Sequence, residues 1–179
     1  MKEEYKKICI IGGSGTGKTT LAENLGKQYE IPVIHLDGIN YHKGWIERDK
    51  DERDQIILEK IKESKWIIDG TYSSTLKERI SKADLIIYLD YSSIVQIKGV
   101  LTRYLKNPNK LKKEIPGCKE RMNWKFFIWV LNWRSTKREK IISIIENVDK
   151  NKILIFKNRK QLNKWYKKRF NCKIDCSYC

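Results

Sequence analysis

The stretch ICIIGGSGTGKTTLAENL, residues 8–25, constrains this chain more than any other part of it. An apolar run of strand type ends in a glycine-rich turn, and a helix-forming run follows at once. Gly12, Gly17, Lys18 and Thr19 satisfy G-x-x-x-x-G-K-[ST]. Glycines at this spacing let the backbone curl until several N–H groups converge on one anion. The helix that follows adds its positive N-terminal end. Gly12, Gly13, Ser14, Gly15, Thr16, Gly17, Lys18, Thr19 and Thr20 are therefore candidates for cradling the phosphates of ATP or GTP. Lys18 is expected to reach the outer phosphates and Thr19 to offer its hydroxyl to Mg²⁺.

Short apolar runs alternate with helical patterns along the rest of the chain, which predicts a parallel α/β sheet. Strands are expected at 7–11, 33–36, 66–69, 85–89 and 153–156, and helices at 18–28, 50–63, 94–105, 124–133, 137–147 and 159–170. Asp49 or Asp51 is placed to cap the second helix, and Ser92 or Ser93 the third. The alternation breaks at KNPNKLKKEIPGCKER, a charged stretch with two prolines that predicts a loop or flap. No linker divides the 179 residues, so one domain is expected over 1–179.

A triphosphate with its Mg²⁺ needs a carboxylate at a neighbouring strand end. KWIIDG supplies Asp69 there, and PVIHLDG supplies Asp37 at the end of a second strand. Strand ends of open α/β sheets face the ligand crevice, so Asp37 could take a proton from an acceptor hydroxyl or hold the acceptor. Both acids also read as plain Asp-Gly turns. Asp90, just before a predicted helix, reads better as a cap than as a catalyst, and His35, on an apolar strand, as a packed histidine. Arginines can stabilise charge on a moving phosphoryl group. Arg79, Arg103, Arg121, Arg134 and Arg138 are the candidates, each with a surface salt bridge as its alternative.

The net charge of +16 favours anionic partners: nucleotides, phosphorylated metabolites, nucleic acid or an acidic membrane surface. Spread as it is along the chain, much of it also reads as solvated lysine surface. The opening MKEEYKK does not resemble a cleavable leader, and WKFFIWVLNW at 124–133 is too short to cross a bilayer. A cytoplasmic protein with reduced thiols is expected. Cys172, Cys176 and Cys179 have a spacing that can ligate zinc or a cluster. They stand at the end of the chain without a nearby fourth ligand, so free thiols on a flexible tail over 171–179 are expected instead.

Five stretches together carry a family resemblance: IIGGSGTGKTTLAENLG, IPVIHLDGINYHKGW, WIIDGTYSSTLKERISKADLIIYLDYS, GCKERMNWKFFIWVLNW and NKILIFKNRKQLNKW. In order and spacing the chain resembles the P-loop proteins known as DNA topology modulation proteins, which are similar to adenylate kinase. The resemblance implies a three-layer P-loop NTPase fold with a five-stranded parallel sheet in the order 2-3-1-4-5, helices on both faces and a helical lid at about 106–138. It implies that Asp69 helps hold Mg²⁺ with Thr19, and that Asp37 sits where related kinases bind an acceptor. It also implies that Arg103, Arg121, Arg134 and Arg138 present charge to the transferred phosphate. Adenylate kinases follow their Asp-Gly with FPR, whose arginine grips a monophosphate; here TYSSTLKER follows, with Arg79 as a loose stand-in.

The leading expectation is a monomeric or homodimeric kinase that uses ATP and Mg²⁺. It would phosphorylate a small molecule, such as a nucleotide or nucleoside, in a cleft lined by Asp37, Tyr41, Tyr72 and Arg79. The alternative is a nucleic-acid-associated NTPase that affects DNA topology, in which basic residues with interleaved aromatics would bind the strand.

Overall fold

The computed structural model describes residues 5–106, 111, 115, 117–119 and 124–176. In chain order the elements are β1 (Lys7–Gly12), α1 (Lys18–Tyr29), β2 (Val33–His35), α2 (Leu36–Asn40), β3 (Tyr41–His42), β4 (Ile46–Glu47) and α3 (Lys50–Lys60). They continue with β5 (Trp66–Asp69), α4 (Leu76–Lys82), β6 (Leu85–Leu89), α5 (Ser93–Lys106), α6 (Trp124–Ile145), a 3-10 turn at Lys150–Lys152, β7 (Ile153–Phe156) and α7 (Arg159–Phe170).

Five strands form one parallel sheet in the order β2-β5-β1-β6-β7, and β3 and β4 pair as a separate antiparallel hairpin. With the hairpin set aside, the main sheet reads 2-3-1-4-5. Side chains alternate between two cores, as the two-residue period of a strand requires. Ile8, Ile10, Ile67, Leu85 and Ile87 face α1 and α7, where Leu21, Leu25, Leu162 and Tyr166 meet them. Cys9, Ile11, Ile68, Ile86 and Tyr88 face the other way, onto Ile57 of α3, Ile80 of α4 and Trp133 and Ile141 of α6. The result is a helix–sheet–helix sandwich, and the strand ends that carry Gly12, Asp69 and Asp90 open on one edge.

Four features differ from the sequence expectations. The helices expected at 124–133 and 137–147 are one helix, α6. No glycine or proline separates them, and the hydroxyls of Ser135 and Thr136 bond back to the carbonyl of Asn132 instead of breaking the helix. The hairpin was not expected; its turn uses Gly44 and Trp45, both with positive φ. Short α2 and α4 are likewise new. Finally, the C-terminal segment is tied down as far as Cys176: Asp175 N–H donates to Asn24 Oδ1, and Asn24 Nδ2 donates to Asp175 O. Among the described residues no cluster of three or more His, Cys, Asp or Glu could hold a metal, and Cys179 lies outside them. Asp49 caps α3 by accepting from the N–H groups of Asp51 and Glu52. Ser93 Oγ instead donates to Leu131 O, joining α5 to α6.

Candidate functional site

The loop between β1 and α1 has the curl that its glycines permit. Gly15 and Gly17 have φ of +73° and +91°, a region that L side chains avoid. Thr16 Oγ1 and Lys18 Nζ both donate to the carbonyl of Gly13, at 2.8 and 2.9 Å. Thr71, two residues after Asp69, clamps the loop's start: its Oγ1 accepts from Gly12 N–H and donates to Gly12 O, each at 3.0 Å. Helix α5 supports the loop on its other side. A Cβ on Gly99 would lie 2.0 Å from Gly15 O, and one on Gly13 would meet buried Gln96 at 1.9 Å. Alanine normally strengthens a helix by about 1 kcal/mol over glycine. Gly99→Ala is expected to do the opposite, because the methyl would push the backbone of the phosphate loop away. Nucleotide titration should show at least a roughly tenfold loss of affinity, equal to about 1.4 kcal/mol, while far-UV circular dichroism stays native.

Asp69 ends β5 nearly buried, and Thr19 Oγ1 donates to its Oδ2 at 2.9 Å. Its other oxygen, Oδ1, lies 2.6 Å from His35 Nδ1, and His35 Nε2 lies 2.8 Å from Glu23 Oε1 on α1. His35 is thus more than a packing residue, contrary to the sequence reading: it spans two carboxylates and fixes the plane of Asp69. A hydroxyl and a carboxylate oxygen side by side are the hard donors that Mg²⁺ prefers, so the residues present fit that ion.

Asp37 lies in α2, so its Asp-Gly is helical and not a turn. Its Oδ1 accepts from the hydroxyl of Tyr72 at 2.9 Å. Burial, then the nearby Asp37 charge, pushes the Tyr72 phenol far above its usual range, so it stays a donor. Tyr41 donates instead to Glu47 at 3.1 Å, across the hairpin. Arg53, which sequence reasoning missed, lays its guanidinium over the Tyr72 ring at 4.9 Å and donates to Asn40, Asp54 and Ser74. It sits among the acids of α3, and no motif marks it.

Arg79 is the main correction. Expected to line the cleft, it is fully buried. Its guanidinium donates to Gly70 O at 3.0 Å, Tyr72 O at 2.7 Å and Thr75 Oγ1 at 3.3 Å. Burial lowers its pKa and raises that of neighbouring Cys9. Arg79 therefore does not face a substrate; it holds the 70–75 turn, which carries Thr71 to the phosphate loop and Tyr72 to Asp37.

Asp90 is also reassigned. This buried carboxylate at the end of β6 gathers cations instead of capping α5. Arg138 Nε donates to both its oxygens, at 3.1 and 3.0 Å, Lys157 reaches Oδ2, and Arg134 Nε stands 3.4 Å away. The last contact is ionic only, since that N–H is not aligned on an acceptor. Burial pushes the Asp90 pKa up, but hydrogen bonds from Lys157 and Arg138 outweigh this and the net shift is downward from 3.8. A depressed carboxylate stabilises the fold above its unfolded pKa and loses that contribution as pH falls through the lower, folded value. The thermal midpoint of wild type should thus fall below about pH 4, where carboxylates protonate. Asp90→Asn should show a lower midpoint at neutral pH and a shallower acid slope. Arg103 is half-buried on α5, and Arg121 lies outside the described residues. Arg159 extends this basic side by donating to Gly15 O at 3.1 Å.

Over 79 residues the chain is 27% identical to the ATP-dependent protease ATPase subunit HslU of Helicobacter pylori strain G27. It is 25% identical over the same length to HslU of Helicobacter acinonychis. These matches cover 44% of this chain, which spans only 17% of the length of those relatives. In fold the chain is similar to shikimate kinase from Bacteroides thetaiotaomicron, with a TM-score of 0.52 and 16% identity over 94% of this chain and 99% of that one. A family model described as AAA domain matches residues 7–98, just over half of the chain. That match takes in the phosphate loop, the Thr19–Asp69 pair, Asp37 and the start of α5, and the chain belongs to the AAA domain family.

Proposed function

We propose that the chain is a phosphotransferase that moves the γ-phosphoryl group of Mg·ATP to a hydroxyl of a small molecule. The observation that carries this reading is the short path from the phosphate loop to Asp37. Thr71 is bonded to Gly12, and the next residue, Tyr72, is bonded to Asp37. A carboxylate that can accept a proton therefore stands beside the phosphate cradle on a wall of its own, as transfer to an acceptor requires. The motifs that resemble adenylate-kinase-like and topology modulation proteins support the same reading, as does the likeness in fold to a kinase.

The backbone of Gly13–Gly17 and the side chain of Lys18 would hold the phosphates, and Thr19 with Asp69 would hold Mg²⁺. The ion would neutralise charge on the outer phosphates and on the leaving oxygen. His35 orients Asp69. Tyr72 holds one oxygen of Asp37, and Asp37 would take the acceptor proton. Arg134 and Arg138 would steady the moving phosphoryl group from the β6 side, and Arg103 of α5 is a further candidate for that role.

ADP release from Mg·ATP tests this reading. It would be followed alone, with duplex or single-stranded DNA, and with a panel of nucleosides, nucleotides and other hydroxyl compounds, using Lys18→Ala as blank. One small acceptor should raise ADP release and become phosphorylated. One surface favours the nucleic-acid-associated reading: Trp124 and Trp129 of α6 are 72% and 48% exposed, in rings stacked with Phe127 and Phe126 beside Lys125. Exposed rings with cations suit single strands. ADP release raised by DNA alone, with free phosphate as product, would support that reading instead.

A further inference from the structure

We propose that His35 is a positioning residue that sets which cation the site accepts: it fixes Asp69 so that one carboxylate oxygen faces the metal, which favours Mg²⁺ over Ca²⁺. This rests on the reading that Thr19 and Asp69 hold the metal of a bound nucleotide, and it concerns that same pair.

The first observation is a closed ring of contacts. Thr19 and Glu23 stand four residues apart on α1, so one turn of helix puts both on the same face. Thr19 Oγ1 donates to Asp69 Oδ2 at 2.9 Å. Asp69 Oδ1 lies 2.6 Å from His35 Nδ1, and His35 Nε2 lies 2.8 Å from Glu23 Oε1. The path leaves α1 at Thr19, crosses the ends of β5 and β2, and returns to α1 at Glu23. Strand register sets it, since His35 and Asp69 are paired neighbours across parallel β2 and β5. The second observation is that the ring is sheltered. The side chains of His35 and Asp69 are 16% and 5% exposed, so water competes little for these bonds.

The bonds have directions. Two acceptors do not sit 2.6 Å apart without a proton between them, so His35 donates through Nδ1 to Asp69 Oδ1. Thr19 gives its proton to Oδ2, which leaves the hydroxyl lone pairs for a cation. Oδ2 is thus the carboxylate oxygen with a second hard donor beside it. To give both oxygens to one cation, the carboxylate would have to turn about its Cβ–Cγ bond. His35 opposes that turn, and Glu23 holds the far side of the ring.

The two ions differ in what they ask of a carboxylate. Mg²⁺ is small, holds to an octahedral shell and keeps several waters, so a single carboxylate oxygen suffices. Ca²⁺ takes about six to eight oxygens and often draws two from one carboxylate. An Asp69 fixed in a one-oxygen pose suits the first ion and denies the second a ligand.

Displacement of Mn²⁺, followed by electron paramagnetic resonance, tests the proposal without turnover. The full chain, in excess over ADP and loaded with Mn²⁺, is titrated with Mg²⁺ or Ca²⁺, and the signal of free Mn²⁺ gives the concentration that displaces half. ADP alone supplies the baseline ratio of Ca²⁺ to Mg²⁺. Wild type should raise that ratio at least about tenfold, within the roughly 10–100-fold that groups behind a metal ligand confer. His35→Leu should bring it to within about threefold of ADP alone. His35→Asn, whose amide can replace the Nδ1 donor, should keep most of the preference. Glu23→Ala should lower it by less than His35→Leu, and it carries the test if His35→Leu does not fold. A wild-type ratio equal to that of ADP alone, or one unchanged by His35→Leu or its substitute, would overturn the proposal and leave the phosphotransfer reading standing. So would a loss in His35→Asn as complete as in His35→Leu. A protein–ADP complex that holds Mn²⁺ no better than ADP alone would remove the Thr19–Asp69 metal site on which both readings stand.

Discussion

Lys18→Ala is expected to abolish nucleotide turnover while leaving the fold intact. The lysine is only half-buried, and its ammonium donates to Gly13 O in its own loop. Its loss therefore removes little packing. Its value lies in the charge it would bring to the outer phosphates, where negative charge builds as the bond to the leaving oxygen stretches. Removing one such preorganised donor costs about 10²–10³ in kcat. ADP release should fall by at least that factor, with a thermal midpoint within about 2 °C of wild type, the shift for roughly 0.5–1 kcal/mol in a chain of this size. Thr19→Ala should fall in the same direction and also raise the Mg²⁺ concentration needed for half-maximal rate.

Arg79→Ala is expected to have the largest effect on stability. The guanidinium is fully buried and holds two main-chain carbonyls and a threonine hydroxyl. Truncation opens a cavity and leaves those acceptors dry, at about 1–3 kcal/mol for each buried group left unsatisfied. A midpoint drop of roughly 10 °C follows, at about 2–4 °C per kcal/mol for a chain of this size. Arg79→Lys should recover only part of it, because an ammonium cannot make the forked set of bonds. Urea unfolding measures this directly. A midpoint unchanged in Arg79→Ala, with a raised KM for an acceptor, would return Arg79 to the cleft.

Strand positions and the nucleotide-phosphate motif were legible because each is a local signal. Buried parallel strands read as short apolar runs, and a phosphate loop demands glycines at fixed spacing. The roles of Arg79 and Asp90 were not legible, because they depend on what the fold brings across the chain. Arg79 is aimed inward because α4, unseen in sequence, turns it onto the 70–75 carbonyls. Asp90 meets Arg138 and Lys157 from 48 and 67 residues away. His35 looked apolar in context; only pairing of β2 with β5, His35 opposite Asp69, brings its ring to that carboxylate. The continuity of α6 was missed for the opposite reason: polar residues in the middle of a helix can look like a loop when their hydroxyls in fact bond back along it.

The most direct test of the central claim is the fate of the γ-phosphorus. Phosphorus-31 NMR during turnover of Mg·ATP, with a whole small-metabolite extract of bacterial cells present, distinguishes the products. As the γ-resonance of ATP falls, a new phosphate-ester resonance should grow, with inorganic phosphate a minor product and neither signal appearing with Lys18→Ala. Inorganic phosphate as the sole product, with no ester formed, would contradict that claim.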